Sequence, residues 1–215
     1  MSRNGGSAAP PLGVAGPPRM TAQERRDQLI GIGLDLLEER PIQELTLDEV
    51  AAAVGVSRTL VFHYFPSKGD YLAAVVTSAG ERLMEAVPRD PAPDPEVRLR
   101  SMVDEFLRFV RRKRGPYASL VRGASGGDPA VMAALDQVRA EHVVRWLDAA
   151  GWPARDELTT LAVRAWLASL EEVALVATTT TVPRPALVEL LVQSLLAELA
   201  LAGRLLEPVG EAAGG

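Results

Sequence analysis

The stretch TLDEVAAAVGVSRTLVFHYFPSK, residues 46–68, decides the fold of this 215-residue chain. Its first half predicts a short helix, because Thr46 can cap the helix and Glu49, three residues on, can complete a capping box. Gly55 predicts the end of this helix, since glycine readily takes the left-handed conformation that a tight turn between helices requires. The stretch therefore begins with a capped helix followed by a turn.

The second half of the stretch predicts a second helix and the start of a third. Ser57 can cap a helix that runs from about Arg58 to Tyr64. Pro66 then ends that helix, and a longer helix begins at Lys68. Two short helices joined by a Gly-Val-Ser turn form a helix-turn-helix, a motif whose second helix enters the major groove of DNA.

Composition divides the chain into three parts. Residues 1–19 are mostly Gly, Ala and Pro, which predicts a disordered tail. Residues 20–87 hold a first helix capped by Thr21, then the helix-turn-helix, and then a connecting helix. The proline-rich run PRDPAPDP marks a domain boundary, so residues 88–215 are expected to form a second domain.

Residues 88–215 show helical periodicity and none of the alternation typical of strands. The first of the predicted helices begins near Pro95 and the second begins at Asp128. The third runs from about residue 154 to 178, and the fourth ends at Gly203. A Gly-rich stretch with Pro116 is interpreted as a break between the first two of these helices. The predicted fold class is all-α, with an N-terminal three-helix helix-turn-helix domain and a larger C-terminal helical domain.

The last predicted helix, LVELLVQSLLAELALAG, is apolar on nearly every side apart from Glu189, Gln193 and Glu198. A helix at the surface of a monomer shows one apolar stripe, so this helix needs cover on two faces. The pattern predicts a homodimer in which the last two helices of each subunit form a four-helix seam. Because Glu189 and Glu198 interrupt the segment, no membrane span is expected.

Residues that carry chemistry are sparse. The chain has no cysteine, only two histidines and a formal net charge of −5, so neither a metal site nor a cofactor is expected. The Gly-rich GASGGDP lacks the lysine and hydroxyl of a phosphate-binding loop, and no nucleophile elbow is present, so an enzyme is not expected. The absence of cysteine and of a signal-peptide pattern favours the cytoplasm. The acidic balance means that DNA binding must depend on where the basic residues lie.

The run GVSRTLVFHYFPSK, preceded by TLDEVA and placed near the N-terminus of an all-helical chain, resembles the TetR family of bacterial transcriptional regulators. The resemblance implies a three-helix DNA-binding domain and a larger domain that dimerises and holds an effector pocket. It implies a repressor that leaves a palindromic operator when a small-molecule effector binds. The alternative is a helical protein-interaction adaptor without DNA binding, which would keep the dimer seam but has no use for Arg58 and Lys68.

By this resemblance, the helix from Arg58 to Tyr64 enters the major groove. Arg58 is the first candidate for direct readout, because its guanidinium can form a bidentate fork with guanine O6 and N7. His63 is expected to read a base or to touch a sugar. The residues expected to contact DNA are Thr46, Ser57, Arg58, Thr59, Leu60, Phe62, His63, Tyr64 and Lys68.

Tyr64 and Lys68 lie where the family contacts phosphate, and Thr46, at a helix N-terminus, offers a hydroxyl and a positive dipole end to another phosphate. At two positions this sequence departs from the family pattern. Leu60 stands where the family often has threonine, and Phe62 where it usually has tyrosine, so both positions lack a hydroxyl. We therefore expect Leu60 to meet a thymine methyl group and the remaining phosphate anchors to matter more.

A set of aromatic and polar side chains in the second domain is a candidate lining for the effector pocket, and each of them also fits an ordinary core. His142 lies on an apolar stripe and is interpreted first as a hydrogen-bonded core histidine. Glu171 and Glu172 lie in mid-helix among apolar residues, and we hypothesise that one of them orients a polar or cationic group of an otherwise apolar effector. The candidate effector residues are Met102, Phe106, Phe109, His142, Trp146, Trp166, Ser169, Glu171 and Glu172.

Overall fold

The computed structural model describes residues 20–87, 92–123 and 128–206. These residues form nine α-helices and one short 3-10 turn, Ile42–Glu44, with no strand in the described part, so the all-α prediction is confirmed. The predicted disordered tail, residues 1–19, lies outside the described residues. The helices are α1 (Ala22–Leu36), α2 (Leu47–Val54), α3 (Arg58–Tyr64), α4 (Lys68–Ala86), α5 (Pro95–Arg112), α6 (Arg114–Gly123), α7 (Pro129–Ala149), α8 (Glu157–Val176) and α9 (Arg184–Leu206).

The local signals that start and end the first helices are confirmed. Thr21 and Thr46 each cap a helix, and each forms a complete capping box with the glutamate three residues later. Gly55 ends α2 with φ 73° and ψ 35°, the left-handed conformation that favours glycine. Ser57 caps α3 and accepts a hydrogen bond from the backbone N–H of Leu60. The short α2–turn–α3 unit therefore lies between the longer helices α1 and α4 in the chain.

The prediction of a break around Pro116 is wrong, because α6 covers Arg114–Gly123. Proline is tolerated there since Pro116 is the third residue of the helix, and the first N–H groups of a helix have no partner within it. Two helix ends also differ from the sequence-based expectation. α8 begins at Glu157 behind an Asp156 cap, and α9 continues to Leu206, past Gly203.

Two hydrophobic cores share helices α4 and α7. The first core joins α1–α4 and includes Val131 and Leu135 from the N-terminal half of α7. The second core joins the C-terminal end of α4 to α5–α9. Two glycines allow α7 to lie close to α4: a Cβ atom at Gly69 would lie 2.6 Å from an Asp128 carboxylate oxygen, and one at Gly80 would lie 2.6 Å from Val138. Both helices therefore connect the two cores rigidly.

By length and composition alone, α9 is apolar enough to cross a membrane, since an 18-residue window within its 23 residues has a mean hydropathy of 1.7. Glu189 and Glu198 interrupt the segment, and a helix from the core of a protein has the same length and composition. In the fold, Leu195 and Leu199 of α9 are buried against the second core, where α9 packs on α5 and α8. This packing is that of a core helix.

Candidate nucleic-acid interface and effector cavity

Helix α3 presents one exposed face and is fixed to the first core by the opposite face. Val61 is 0% exposed and Phe65, the residue that ends α3, is also buried. Arg58, Thr59 and His63 are exposed on the outer face. A short helix with buried anchors and exposed polar side chains has the geometry of a helix that enters a groove of DNA.

The guanidinium of Arg58 is held by two contacts at the surface. Its Nη1 atom donates a hydrogen bond of 2.7 Å to Asp48 Oδ2, and its Cζ atom lies 5.3 Å from the centroid of the Phe62 ring. Both members of the ion pair are well exposed. An exposed pair of this kind contributes at most about 1 kcal/mol, so a base or phosphate can replace Asp48 at small cost.

Two of the candidate phosphate contacts, Tyr64 and Lys68, lie at the C-terminal end of α3 and the start of α4. Lys68 is the first residue of α4, is exposed, and donates a hydrogen bond of 2.8 Å from Nζ to the carbonyl of Gln43. Tyr64 is half-buried, with its ring edge-to-face on His63 at 5.3 Å. Lys68 therefore adds a positive charge beside the exposed face of α3.

Thr46 is less available for a phosphate than the sequence suggests. Its hydroxyl donates to Glu49 Oε2 at 2.7 Å and accepts from the Glu49 backbone N–H at 3.3 Å. The hydrogen bond from Thr46 is the main reason that the pKa of Glu49 is lowered, and Arg40 lowers it further. A phosphate can use the Thr46 hydroxyl as a donor only if the bond to the Glu49 carboxylate is given up.

Of the nine residues expected to contact DNA, six lie on α3, Ser57 caps α3, Lys68 begins α4 and Thr46 caps the N-terminal end of α2. Leu60 is half-buried, so it presents less surface than its neighbours. The Ser57 hydroxyl is engaged as the cap of α3. Phe62 is exposed, which is unusual for so large an apolar side chain and leaves its ring available to a sugar or a base. None of these placements by itself identifies a contact with DNA.

A cavity of about 200 Å³ lies between the end of α1, the middle of α4 and helices α5–α8. Three of the nine candidate effector residues line this cavity: Phe109, His142 and Glu171. Ser169 and Glu172 lie on the exposed side of α8 and do not line it. The four remaining candidates are buried in the second core and do not line it: Met102, Phe106, Trp146 and Trp166.

Packing explains why the tryptophans are core residues. The Trp146 and Trp166 rings meet edge-to-face at 4.9 Å, and Trp166 Nε1 donates a hydrogen bond of 2.9 Å to the Leu191 carbonyl. Each ring therefore packs on the other, and Trp166 is also bound to α9. Such aromatic pairs stabilise a core beyond the area that they bury.

Two polar cavity residues escaped the sequence analysis. Tyr117 belongs to α6, which the sequence analysis took for a break, and its buried ring meets Phe106 edge-to-face at 5.9 Å. Arg139 lies three residues before His142 on α7, so helical periodicity could have placed both on one face. Burial raises the pKa of Tyr117 well above its usual value, so its hydroxyl stays neutral.

The ion pair of Arg139 and Glu171 closes one wall of the cavity. Arg139 Nη2 lies 3.0 Å from Glu171 Oε2, and the Glu171 side chain is 14% exposed. This hydrogen bond raises the pKa of Arg139, so the guanidinium stays charged. Arg139 already balances Glu171, and Glu172 is exposed, so the hypothesis that one of them orients a polar or cationic effector group stays a prediction.

His142 is 6% exposed and uncharged at neutral pH. Burial, with a smaller effect from Arg145, lowers its pKa to about 4. The backbone of Gly80 raises the pKa of His142 slightly against this trend, and the buried Nε2 atom has no hydrogen-bond partner among the described residues. His142 is buried as a core histidine would be, and its side chain also lines the cavity.

Within the residues that the structure describes, no group of three or more His, Asp or Glu side chains is arranged to hold a metal ion. The polar groups of the cavity instead form pairs or stay neutral.

Comparison with known proteins identifies the family. The sequence model of one family, bacterial regulatory proteins of the tetR family, matches residues 30–75. The sequence model of a second family, the tetracyclin repressor-like C-terminal domain, matches residues 95–198. This chain is similar to a tetR-family transcriptional regulator from Streptomyces coelicolor whose crystal structure is known, with 31% sequence identity. The match covers 86% of this chain and 85% of that chain, with a TM-score of 0.69. The chain belongs to the TetR family.

Curated relatives match mainly through part of their length. The HTH-type transcriptional regulator BetI of Stenotrophomonas maltophilia is 35% identical over 83 residues, 37% of this chain and 42% of BetI. The HTH-type transcriptional activator FasR of Mycolicibacterium smegmatis is 26% identical over 117 residues, 54% of this chain and 53% of FasR. The chain thus spans about half of the length of the curated relatives that it matches.

Membership of the TetR family decides between the function classes left open by the sequence. TetR-family proteins are DNA-binding transcriptional regulators and not enzymes. The alternative of a helical adaptor without DNA binding is therefore not supported. The exposed face of α3 lies within the segment, residues 30–75, that matches the N-terminal family model.

Proposed function

We propose that this TetR-family protein is a homodimeric, cytoplasmic repressor that binds a palindromic operator through two copies of α3. A small-molecule effector that enters the cavity between α4 and α7 releases it from DNA. Residues 20–87 act as the DNA-binding domain and residues 88–215 as the domain for effector binding and dimerisation. The two hydrophobic cores support this division, with Val131 and Leu135 of α7 as the contribution of the second domain to the first core.

The position of α4 is the observation that carries this proposal. Helix α4 begins at Lys68, directly after α3, and its middle part forms a wall of the cavity through Val76, Ala79 and Gly80. A ligand that displaces this wall changes the position of α3 relative to the second core. Such a ligand shifts the population toward a state that no longer fits DNA, provided that it binds this state more tightly.

The exposed apolar side chains of α8 and α9 support the proposed dimer. Leu161 on α8 and Leu190, Leu201 and Leu205 on α9 are exposed, with Leu190 at 60%. Apolar side chains repeated along the outer face of two helices are typical of an interface between subunits. Two subunits joined by a two-fold axis carry two α3 helices, which explains the palindrome and a spacing of about 34 Å or a multiple of it.

The proposed function predicts the result of a selection from random DNA. Full-length protein would be used to enrich duplexes at low salt, in parallel with the variant Arg58→Ala/Lys68→Ala. The variant Arg112→Ala/Arg155→Ala is a matched control, because it also removes two exposed cations, but these pair with Glu105 and Asp148 away from α3.

We expect the wild type and the control to enrich one palindrome, and the Arg58→Ala/Lys68→Ala variant to lose it. If the wild type enriches no sequence at low salt, the proposed operator binding is wrong. If it enriches a palindrome and increases transcription from it in vitro, the protein is an activator, as FasR is by name, and the repressor part of the proposal is wrong.

A further inference from the structure

The exposed apolar faces of α8 and α9 each contain a charged side chain. On α8, Glu172 lies eleven residues after Leu161 and four before Val176, spacings that return to the same side of a helix. All three side chains are exposed, Leu161 at 61%. On α9, Arg204 lies three residues after Leu201, and both are exposed. The seam proposed for the homodimer therefore contains an acid on one helix and a base on the other.

Neither Glu172 nor Arg204 forms a side-chain ion pair or hydrogen bond within the described residues. The other two cations of these helices, Arg164 and Arg184, are already bonded to aspartates at 3.0 and 2.7 Å. Burial of Glu172 in a seam without a counter-charge would be unfavourable. Of the cations that α8 and α9 carry in the described part of the chain, Arg204 is the one left to supply this counter-charge.

Helices α8 and α9 run antiparallel. A Cβ atom at Gly203, near the end of α9, would lie 3.2 Å from Trp152, which precedes α8 in the chain. Midway along α8, Trp166 Nε1 donates a hydrogen bond of 3.2 Å to Ser194 Oγ of α9. These contacts join the end of α9 to the beginning of α8 and set Trp166 and Ser194 at the same level.

Within one subunit, Glu172 and Arg204 lie toward opposite ends of this pair of helices. Glu172 is six residues beyond Trp166, about 9 Å along the axis at the rise of an α-helix. Arg204 is ten residues beyond Ser194 in the opposite direction, about 15 Å. The two residues are therefore separated by about 24 Å along the helices, too far to pair within the subunit.

A two-fold axis can bring the two charges together from different subunits. An axis perpendicular to the helices, about 3 Å from the level of Trp166, places Glu172 of one subunit at the level of Arg204 of the partner subunit. Because the interface is isologous, the same contact forms again at the other end. An axis parallel to the helices would instead place each charge at the level of its own copy, and like charges repel. The charges on the two faces therefore favour the perpendicular axis.

We infer, on the basis of the proposed homodimer, that Glu172 of each subunit pairs with Arg204 of the partner subunit across the seam of α8 and α9. The dimer then contains two such pairs, related by the two-fold axis. They set the register of the seam and select a second copy of this chain as the partner. A helix without a cation at this level would leave Glu172 buried and unpaired, which disfavours other partners.

Charge-reversal variants of the full-length protein test the pair. Glu172→Arg places two arginines opposite each other at both ends of the seam, and Arg204→Glu places two glutamates there. We expect each variant to raise the dissociation constant of the dimer at least about tenfold, because like charges replace opposite ones. Sedimentation velocity over a range of protein concentrations measures this constant. A variant that dimerises as tightly as the wild type overturns the inference.

Two control variants carry the same charge changes outside the seam. Glu81→Arg and Arg111→Glu alter exposed residues of α4 and α5 that form no ion pair within the described residues. We expect both to dimerise as the wild type does. Weakening of the dimer by the controls to the same extent as by the seam variants would show an effect of net charge alone and would overturn the inference.

An equimolar mixture of Glu172→Arg and Arg204→Glu shows whether the contact is between subunits. In the mixed dimer, one end of the seam holds the native pair and the other end holds the same pair with its charges exchanged. We therefore expect the mixture, and also the double variant Glu172→Arg/Arg204→Glu, to recover most of the lost affinity. No recovery in either sample overturns the inference.

Circular dichroism checks that each reversal variant keeps the helical content of the wild type. If one does not, Glu172→Gln and Arg204→Gln replace the reversals. Each of these should weaken the dimer, and their mixture should recover part of the affinity because it restores one native pair. A mixture no tighter than the single variants overturns the inference.

The wild-type protein separates failure of this inference from failure of the proposed function. If it is monomeric at every concentration, with and without the selected duplex, the proposed homodimer is wrong and the ion pair fails with it. If it is dimeric and binds the palindrome while the reversal variants dimerise equally well, the ion pair is wrong and operator binding by a homodimer stands.

Discussion

The ion pairs Arg58–Asp48 and Arg139–Glu171 have the same chemistry and opposite surroundings. The first pair is exposed on the proposed DNA-facing side of α2 and α3, with 2.7 Å between its atoms. The second is partly buried in the wall of the cavity, with Glu171 the more enclosed partner. The exposed pair can exchange partners with DNA at little cost, whereas the buried pair must stay intact. Burial thus separates a surface that can exchange contacts from a wall that keeps its shape.

The largest expected effect comes from breaking the buried pair. Glu171→Ala leaves the charge of Arg139 without its partner, so we expect the free energy of unfolding to fall by about 3 kcal/mol, the lower end for buried pairs because Arg139 keeps some solvent. Asp48→Ala, which breaks the exposed pair, should lower it by less than about 1 kcal/mol. Urea unfolding followed by circular dichroism measures both. Equal losses in the two variants would contradict the comparison.

The joint variant Arg139→Leu/Glu171→Leu sharpens this result. Replacing both charges by apolar groups removes the unpaired charge that destabilises the single variant. We therefore expect the double variant to be more stable than Glu171→Ala. A double variant that is less stable than Glu171→Ala would show that the pair itself, and not an unpaired charge, stabilises the fold.

The second effect concerns the dependence of stability on pH. The pKa of His142 is about 4 in the folded protein and about 6.5 in the ordinary case. The unfolded chain therefore takes up a proton first as pH falls, and stability is lost between about pH 6.5 and pH 4. From pH 7 to pH 5 the loss assigned to His142 is about 2 kcal/mol. His142→Phe should lose about that much less over the same interval in urea unfolding, and equal losses would contradict the burial of a neutral imidazole.

The third effect separates base reading from phosphate binding. Arg58→Ala should weaken binding to the selected operator by about 10–100-fold and to random duplex by much less, because a fork to guanine discriminates by about 1–3 kcal/mol. Lys68→Ala should weaken both by a similar factor and reduce the salt slope by about one. Fluorescence anisotropy titrations at several salt concentrations measure this. Equal losses on both duplexes for Arg58→Ala would make it a phosphate contact.

The smallest expected effect is a gain. Asp48→Asn removes the negative charge that competes with DNA for Arg58, so the affinity for DNA should rise, by less than about tenfold because the pair is exposed. The same anisotropy titration measures it. A loss of operator affinity without a change on random DNA would mean that Asp48 orients Arg58 for base reading instead of competing with DNA.

The same comparison explains how much could be predicted from the sequence. The proposed DNA-facing surface depends on residues 46–68, whose caps and turn are local interactions, so Thr46, Gly55 and Ser57 correctly predicted the helix boundaries there. The cavity is assembled from helices far apart in the chain, and α6 was hidden by Pro116. Helical periodicity marks apolar faces, but it does not distinguish Trp146, which packs on Trp166, from Phe109, which lines the cavity. That distinction depends on tertiary packing.

The most direct test of the central claim, that two copies of α3 read a palindrome, is an anisotropy titration of the full-length protein on the selected duplex and on a duplex with one half-site scrambled. The account predicts two subunits bound to the intact palindrome and an affinity at least about tenfold lower for the scrambled one, since each mismatched base pair costs about 1–3 kcal/mol. Equal affinity for both duplexes, or one subunit bound to the intact palindrome, would contradict it.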